Sequence, residues 1–178
     1  MFARLLHFVR RPEIQHGNNA LYLYGPSGTG KSHLLAALVC QLVIDNERMV
    51  YIPDCSRLIA EDPFPHLQNA FMFAFHNDSH AHSIIVAAQT MEDLLWFRRS
   101  RPPCSFYVIV DQRNALEFLD INDAQTKPKK VVANVLNAIG GGQKYIYSAA
   151  SNEQASRDAD RKQSNITTLY FWSGMTDV

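Results

Sequence analysis

The densest chemistry in the sequence lies in eight residues, Gly25-Pro26-Ser27-Gly28-Thr29-Gly30-Lys31-Ser32. Glycines at 25, 28 and 30 permit backbone conformations that turn successive N–H groups inward as an anion-binding nest. Lys31 supplies a point charge for the β- and γ-phosphate oxygens of a nucleotide, and the Ser32 hydroxyl is a ligand suited to Mg²⁺. The spacing Gly-x4-Gly-Lys-Ser is that of a phosphate-binding P-loop, which works only between a buried strand and the start of a helix. Both elements are legible. Ala20-Leu-Tyr-Leu-Tyr24 is a short apolar run of strand formers that ends at Gly25, and Leu34, Leu35, Leu38, Val39, Leu42 and Val43 keep helical spacing up to Asp45-Asn46.

Hydrolysis needs a second element, an acid at the end of a neighbouring buried strand that holds the metal ion. Phe106-Tyr-Val-Ile-Val-Asp111 supplies it, and Asp111 is the candidate; the same residue also suits the cap of a turn at Asn114. Many ATPases with an extra strand between these two motifs carry a glutamate directly after the aspartate to activate water. Here that residue is Gln112. A glutamine cannot act as a general base but can orient a water through hydrogen bonds, so slow hydrolysis is expected. Glu117 substitutes only if its loop folds back. Asn152, just past the apolar run Tyr145-Ile-Tyr-Ser-Ala149, resembles the sensor residue of AAA+ ATPases, and equally suits the cap of a helix starting at Glu153. Arg157 and Arg161 are four apart on that expected helix, where they read either as a trans-acting arginine finger or as solvated side chains.

The remaining elements must hold these groups together. Met49-Val-Tyr-Ile52, Phe106–Val110, Tyr145–Ala149 and Ile166–Trp172 read as further strands. Ser56 to Asn77 is expected to be helical apart from a break at Pro63 and Pro65, Met91–Phe97 to form a helix, and Thr126 to cap one whose apolar face is Val131, Val135, Leu136 and Ile139, closed by Gly140-Gly-Gly142. Strands separated by helix-length segments imply an α/β fold with a largely parallel sheet. Residues 1–19 are expected to be a lead-in with a short amphipathic helix packing Leu5, Leu6 and Val9, and residues 20–178 the domain proper.

Composition bounds the rest. At 178 residues with 17 basic and 17 acidic side chains, one domain is expected, and no global field recruits nucleic acid or an anionic membrane. Cys40, Cys55 and Cys104 are odd in number and form no CxxC pair, which points away from disulfides and zinc and toward an intracellular, cytoplasmic or nuclear, setting. No apolar run approaches the roughly 20 residues of a membrane span.

Four segments together resemble the P-loop NTPase domain of Crinkler effectors and the related RHS-type proteins, within the AAA+/STAND group. They are Tyr24-Gly-Pro-Ser-Gly-Thr-Gly-Lys-Ser-His33, Val50-Tyr-Ile-Pro-Asp-Cys55, Val110-Asp-Gln-Arg-Asn-Ala-Leu116 and Ser148-Ala-Ala-Ser-Asn152. The resemblance implies a three-layer P-loop NTPase: a five-stranded, mostly parallel sheet in the order 5-1-4-3-2 with helices on both faces. It also implies ATP as the nucleotide, contacts from Gly25 through His33, and an NTPase that powers or gates an attached effector domain, often nuclease-like. Secretion into a host enters only by this resemblance. The family's N-terminal secretion header is missing, and six residues after Trp172 leave no room for a helical lid or effector domain, so both are expected to be absent or on another segment.

The expected activity is therefore Mg²⁺-dependent ATP binding with slow hydrolysis: Lys31 and the loop amides on the phosphates, Ser32 and Asp111 on Mg²⁺, Gln112 or Asn152 on the water. The alternatives are a nucleotide-gated interaction module with negligible turnover and a P-loop kinase, for which no acceptor pocket or arginine lid is legible. A homo-oligomer is a further expectation to test. His76, His80 and His82 around Asp78 read as a polar loop because no third zinc ligand has motif spacing. Arg98-Arg-Ser-Arg101 suits a nucleic-acid phosphate or a solvated helix end, and Tyr170-Phe-Trp172 reads as core.

Overall fold

Runs of β-branched and aromatic residues bounded by glycine, proline or charge give short strands, and the segments between them are long enough for crossovers. The computed structural model of the protein describes residues 1–11, 14, 20–116, 126–150 and 166–170. Strands β1 (Ala20–Gly25), β2 (Met49–Ile52), β3 (Tyr107–Val110), β4 (Lys144–Ala150) and β5 (Ile166–Tyr170) form one sheet in the order β2-β3-β4-β1-β5. Every neighbouring pair is parallel. This is the expected order 5-1-4-3-2, read from the other edge. The helices are α1 (Phe2–Val9), α2 (Lys31–Ile44), α3 (Arg57–Ala60), α4 (Pro63–Ala74), α5 (Ser79–Ala87), α6 (Met91–Arg99) and α7 (Thr126–Gly140), with a 3₁₀ turn at Arg113–Leu116.

Side chains alternate across each strand, so the sheet feeds two cores. On one face Leu21, Leu23, Met49, Ile109 and Ile146 pack with Leu5 and Val9 of α1 and Leu35 and Leu38 of α2. On the other, Tyr22, Val50, Ile52, Val108 and Val110 meet α4 to α7. The three-layer arrangement follows from that division.

Local chemistry explains where the helices depart from expectation. The expected break falls at Glu61 and Asp62, and Pro63 begins α4 with Pro65 in its first turn, where no N–H is needed; Asp62 caps it by accepting from Phe64 N at 3.0 Å. The histidine segment, expected as loop, forms α5 from Ser79 onward because Asp78 accepts from Ala81 N at 3.0 Å. In α7 the buried face is Val132, Val135, Leu136 and Ile139, at helical spacing, while Val131 is 55% exposed; the reading that counted Val131 was one residue out of phase. Thr126 is already helical and not a cap outside it. The basic run is used structurally: Arg98 Nε donates to Ile139 O at 3.0 Å, Arg99 pairs with Glu92, and the Arg101 guanidinium lies 4.4 Å from the centre of the Phe97 ring.

An aromatic cluster anchors the start of the strand that carries Asp111. Phe75, fully buried, meets Phe97 edge-on at 5.1 Å and Phe106 at 5.8 Å, with the Arg48 guanidinium 5.1 Å from its ring centre. Phe106 immediately precedes β3. Truncating Phe75 removes both the transfer energy and the edge-to-face contacts, so Phe75→Ala is expected to lower unfolding stability by about 3–5 kcal/mol, measured by urea denaturation.

Candidate functional site

The first amides of α2 have no intrahelical partner, and the residue before it, Gly30, has no side chain to cap them. Gly30 has φ +84° and Gly28 φ +79°, both in the left-handed region that only glycine enters cheaply. A Cβ at either position meets no atom within 4 Å, so backbone conformation and not crowding selects glycine there. Through these two left-handed glycines the loop leads directly into the helix start, where unpaired amides and the positive end of the helix dipole attract anions.

Lys31, only 7% exposed, is bound into this loop. Its Nζ donates to Gly25 O at 2.8 Å, Pro26 O at 2.6 Å and Thr29 Oγ1 at 3.2 Å, while Thr29 Oγ1 donates to Pro26 O at 2.9 Å. Burial pushes the Lys31 ammonium pKa below its ordinary range, and the negative charge of Asp111 pulls the other way.

Asp111 comes from the end of β3 and is 2% exposed. Its backbone ties two strand ends together: Asp111 N donates to Ile52 O at 2.8 Å, and Cys55 N donates to Asp111 O at 3.3 Å. Its carboxylate Oδ1 accepts from Gln112 N at 2.9 Å and from the Ser148 hydroxyl. Gln112 N also points at Ser148 Oγ, 3.3 Å away, and Gln112 itself is held at φ +55°. The carboxylate and the loop line a single cavity of about 420 Å³ together with Ser32, His33, Gln112, Asn114 and Ser148.

Of the residues singled out in the sequence, Ser27 through His33, Asp111 and Gln112 therefore share one cavity, with Gly25 and Pro26 forming the backbone that holds Lys31. Asn152, Glu117, Arg157 and Arg161 lie outside the described residues. Ser148 was not singled out as a site residue. Its signal was available: the one serine in the run of β4, a short hydroxyl with no apolar body to bury, at a position where an uncompensated polar group is costly. Asn114 carried no such signal.

The hard oxygen donors that share the cavity with the loop, the Ser32 hydroxyl and the Asp111 carboxylate, fit Mg²⁺, which takes few protein ligands and completes its shell with phosphate and water. No group of three or more His, Cys, Asp and Glu converges on a metal site among the described residues. Nor is any helix among them long and apolar enough to cross a membrane.

No protein-family model matches the chain, and no curated protein sequence does. Among solved structures, a DNA replication initiation factor aligns over 94% of this chain and 45% of its own, at 18% identity and a TM-score of 0.51. The two share a fold, and it is the expected three-layer α/β fold of P-loop NTPases with a five-stranded parallel sheet. AMPPCP-bound DnaA from Aquifex aeolicus aligns over 95% of this chain and 46% of its own, at 18% identity and a TM-score of 0.47. Drosophila ORC bound to GC-rich DNA and Cdc6 aligns over 96% and 27%, at 12% identity and the same TM-score of 0.47. The chain thus spans less than half the length of these three solved chains.

Because Gly30 is required by its φ of +84° and not by space, Gly30→Ala is expected to fold with a stability loss of about 1–2 kcal/mol. The denaturation midpoint should fall with the slope preserved.

Proposed function

We propose that the domain of residues 20–178 binds Mg²⁺-ATP in the cavity between the Gly25–His33 loop and the ends of β3 and β4, and hydrolyses it slowly. The observation that carries this reading is the convergence of a buried ammonium, Lys31, and a buried carboxylate, Asp111, on one cavity at the carboxyl end of a parallel sheet. Ligands of open α/β sheets bind at that end.

The loop amides and the start of α2 receive phosphate oxygens, and Lys31 exchanges the neutral loop carbonyls it now bonds for anionic oxygens. Ser32 and Asp111 are the residues that would hold Mg²⁺. The metal ion, when bound, neutralises charge developing on the transferred phosphoryl group. Gln112 supplies an amide that can orient water, but it cannot take its proton, so the position next to Asp111 offers no general base. Turnover below about 1 s⁻¹ follows from that deficit. Adenine as the base, an effector domain on another segment, membership in the Crinkler and RHS-type group, self-association and a nuclear or cytoplasmic location all rest on the resemblance of the four segments or on the cysteine usage.

The left-handed, solvent-exposed Gln112 favours a second reading, a nucleotide-gated interaction module in which binding alone matters. Phosphate release separates the two. Titration with ATP should give saturable binding that Lys31→Ala weakens by about 10- to 100-fold, the worth of a hydrogen bond to a charged group. Release of phosphate should be slow in the wild type, absent in Asp111→Ala, and raised about tenfold or more in Gln112→Glu, which restores a base. Binding without any release, in wild type and Gln112→Glu alike, would leave the gated module as the function.

A further inference from the structure

β4 runs between β1 and β3, so it is the strand that decides what stands between the phosphate loop and Asp111. Its register sets Ser148 opposite Leu23 of β1, one residue beyond the pair Val110 and Tyr147 that joins it to β3. Ser148 is therefore alongside Asp111, and it is 1% exposed. The flanking β4 residues Ile146, Tyr147 and Ala149 are all buried and pack in the two cores.

A hydroxyl carries one hydrogen, and here its direction is determined by its surroundings. The single Gln112 N–H is shared, 2.9 Å from Asp111 Oδ1 and 3.3 Å from Ser148 Oγ, and the carboxylate oxygen serves as acceptor, so the Ser148 hydroxyl spends its own hydrogen on Asp111 Oδ1. Oδ1 then accepts from both Ser148 and Gln112 N, which fills its two lone-pair directions with protein donors. Rotation of the carboxylate would break two bonds at once. The left-handed turn at Gln112 is the backbone conformation that brings this amide back onto the side chain of the preceding residue.

Resting on the reading of the cavity as a Mg²⁺-nucleotide site, we infer that Ser148 is a positioning residue: with the Gln112 amide it clamps Asp111 through Oδ1 and reserves Oδ2 for the metal ion or its bound water. Ser148 touches neither nucleotide nor metal in this role. Partners that orient a metal ligand in this way are typically worth 10- to 100-fold in metal affinity. Its effect must therefore show in the metal-dependent part of nucleotide affinity and be transmitted only through Asp111.

The test uses the full chain and ATP, with Kd measured by calorimetry in excess Mg²⁺ and again in excess EDTA. For Ser148→Ala the ratio of the two affinities is expected to fall about tenfold from the wild-type ratio, with the EDTA affinity within about twofold. In an Asp111→Asn background, adding Ser148→Ala should change the ratio no further, because the route has already been removed. Ser148→Cys keeps the side chain close in size with a much weaker donor, and should give the same loss if the alanine variant does not fold. A preserved ratio overturns the clamp. So does an equal fall of both affinities, which marks a merely structural residue, or an effect that persists beside Asp111→Asn. Hydrogen exchange at the Gln112 amide gives a readout free of nucleotide: protection should drop in both Ser148→Ala and Asp111→Asn, and unchanged protection overturns the shared clamp. Failure of the wild type to bind ATP at all is a separate result, which removes the proposed function and the metal role with it.

Discussion

An ammonium and a carboxylate are both withdrawn from water at the carboxyl end of the sheet, and neither can stay there without compensation. The cost of burying an isolated charge far exceeds the net stability of a domain of this size. Lys31 is compensated by two backbone carbonyls and the Thr29 hydroxyl, and Asp111 by the Ser148 hydroxyl and the Gln112 amide. The opposed charges also act on each other across the cavity. Each solution imposes something on the chain. The lysine needs a loop curved tightly enough for its own carbonyls to face inward, and the aspartate needs a hydroxyl on the adjacent strand together with a left-handed residue after it.

The sheet order makes these demands compatible. With β4 between β1 and β3, the loop after β1 and the acid after β3 are one strand apart, which leaves room for the cavity between them. The two cores then hold the three strand ends in place from opposite sides: α1 and α2 on one face, and α4 to α7 with their phenylalanine cluster on the other. The connection between β2 and β3 contributes four helices to that second core, and Cys55 at its start is fastened to the Asp111 carbonyl. The Cys55 thiol is buried deeply enough that its pKa is pushed up to about 12, so it serves packing and not reactivity.

Much of the site was legible because it is local. A loop whose glycines, lysine and serine are neighbours in sequence needs only its flanking strand and helix to be recognised, and both carry strong periodic patterns. Asp111 was legible for a similar reason, as a lone acid ending an apolar run. Errors arose where side chains from distant segments settle the outcome. Val131 and Val132 are equally apolar, and only the docking of α7 on the sheet distinguishes them. Asp78 caps α5 through its own side chain, a signal present in the sequence but outweighed by the polar histidines around it. The arginines 98 and 101 look solvated until Ile139 and Phe97 are brought beside them.

The sequence by itself determined the glycine-rich loop with its lysine and serine, the strand and helix that frame it, the acid at the end of a second strand and the absence of a glutamate after it. Those are properties of residue type and short-range spacing, governed by backbone sterics and by the preference of charges for strand and helix ends. Only the tertiary structure decided that Ser148 stands beside Asp111, that Gln112 turns left-handed to bond the same carboxylate, and that Lys31 is buried against its own loop. Ser148 and Asp111 are 37 residues apart in the chain, and what joins them is the parallel register of two strands, which no local pattern encodes.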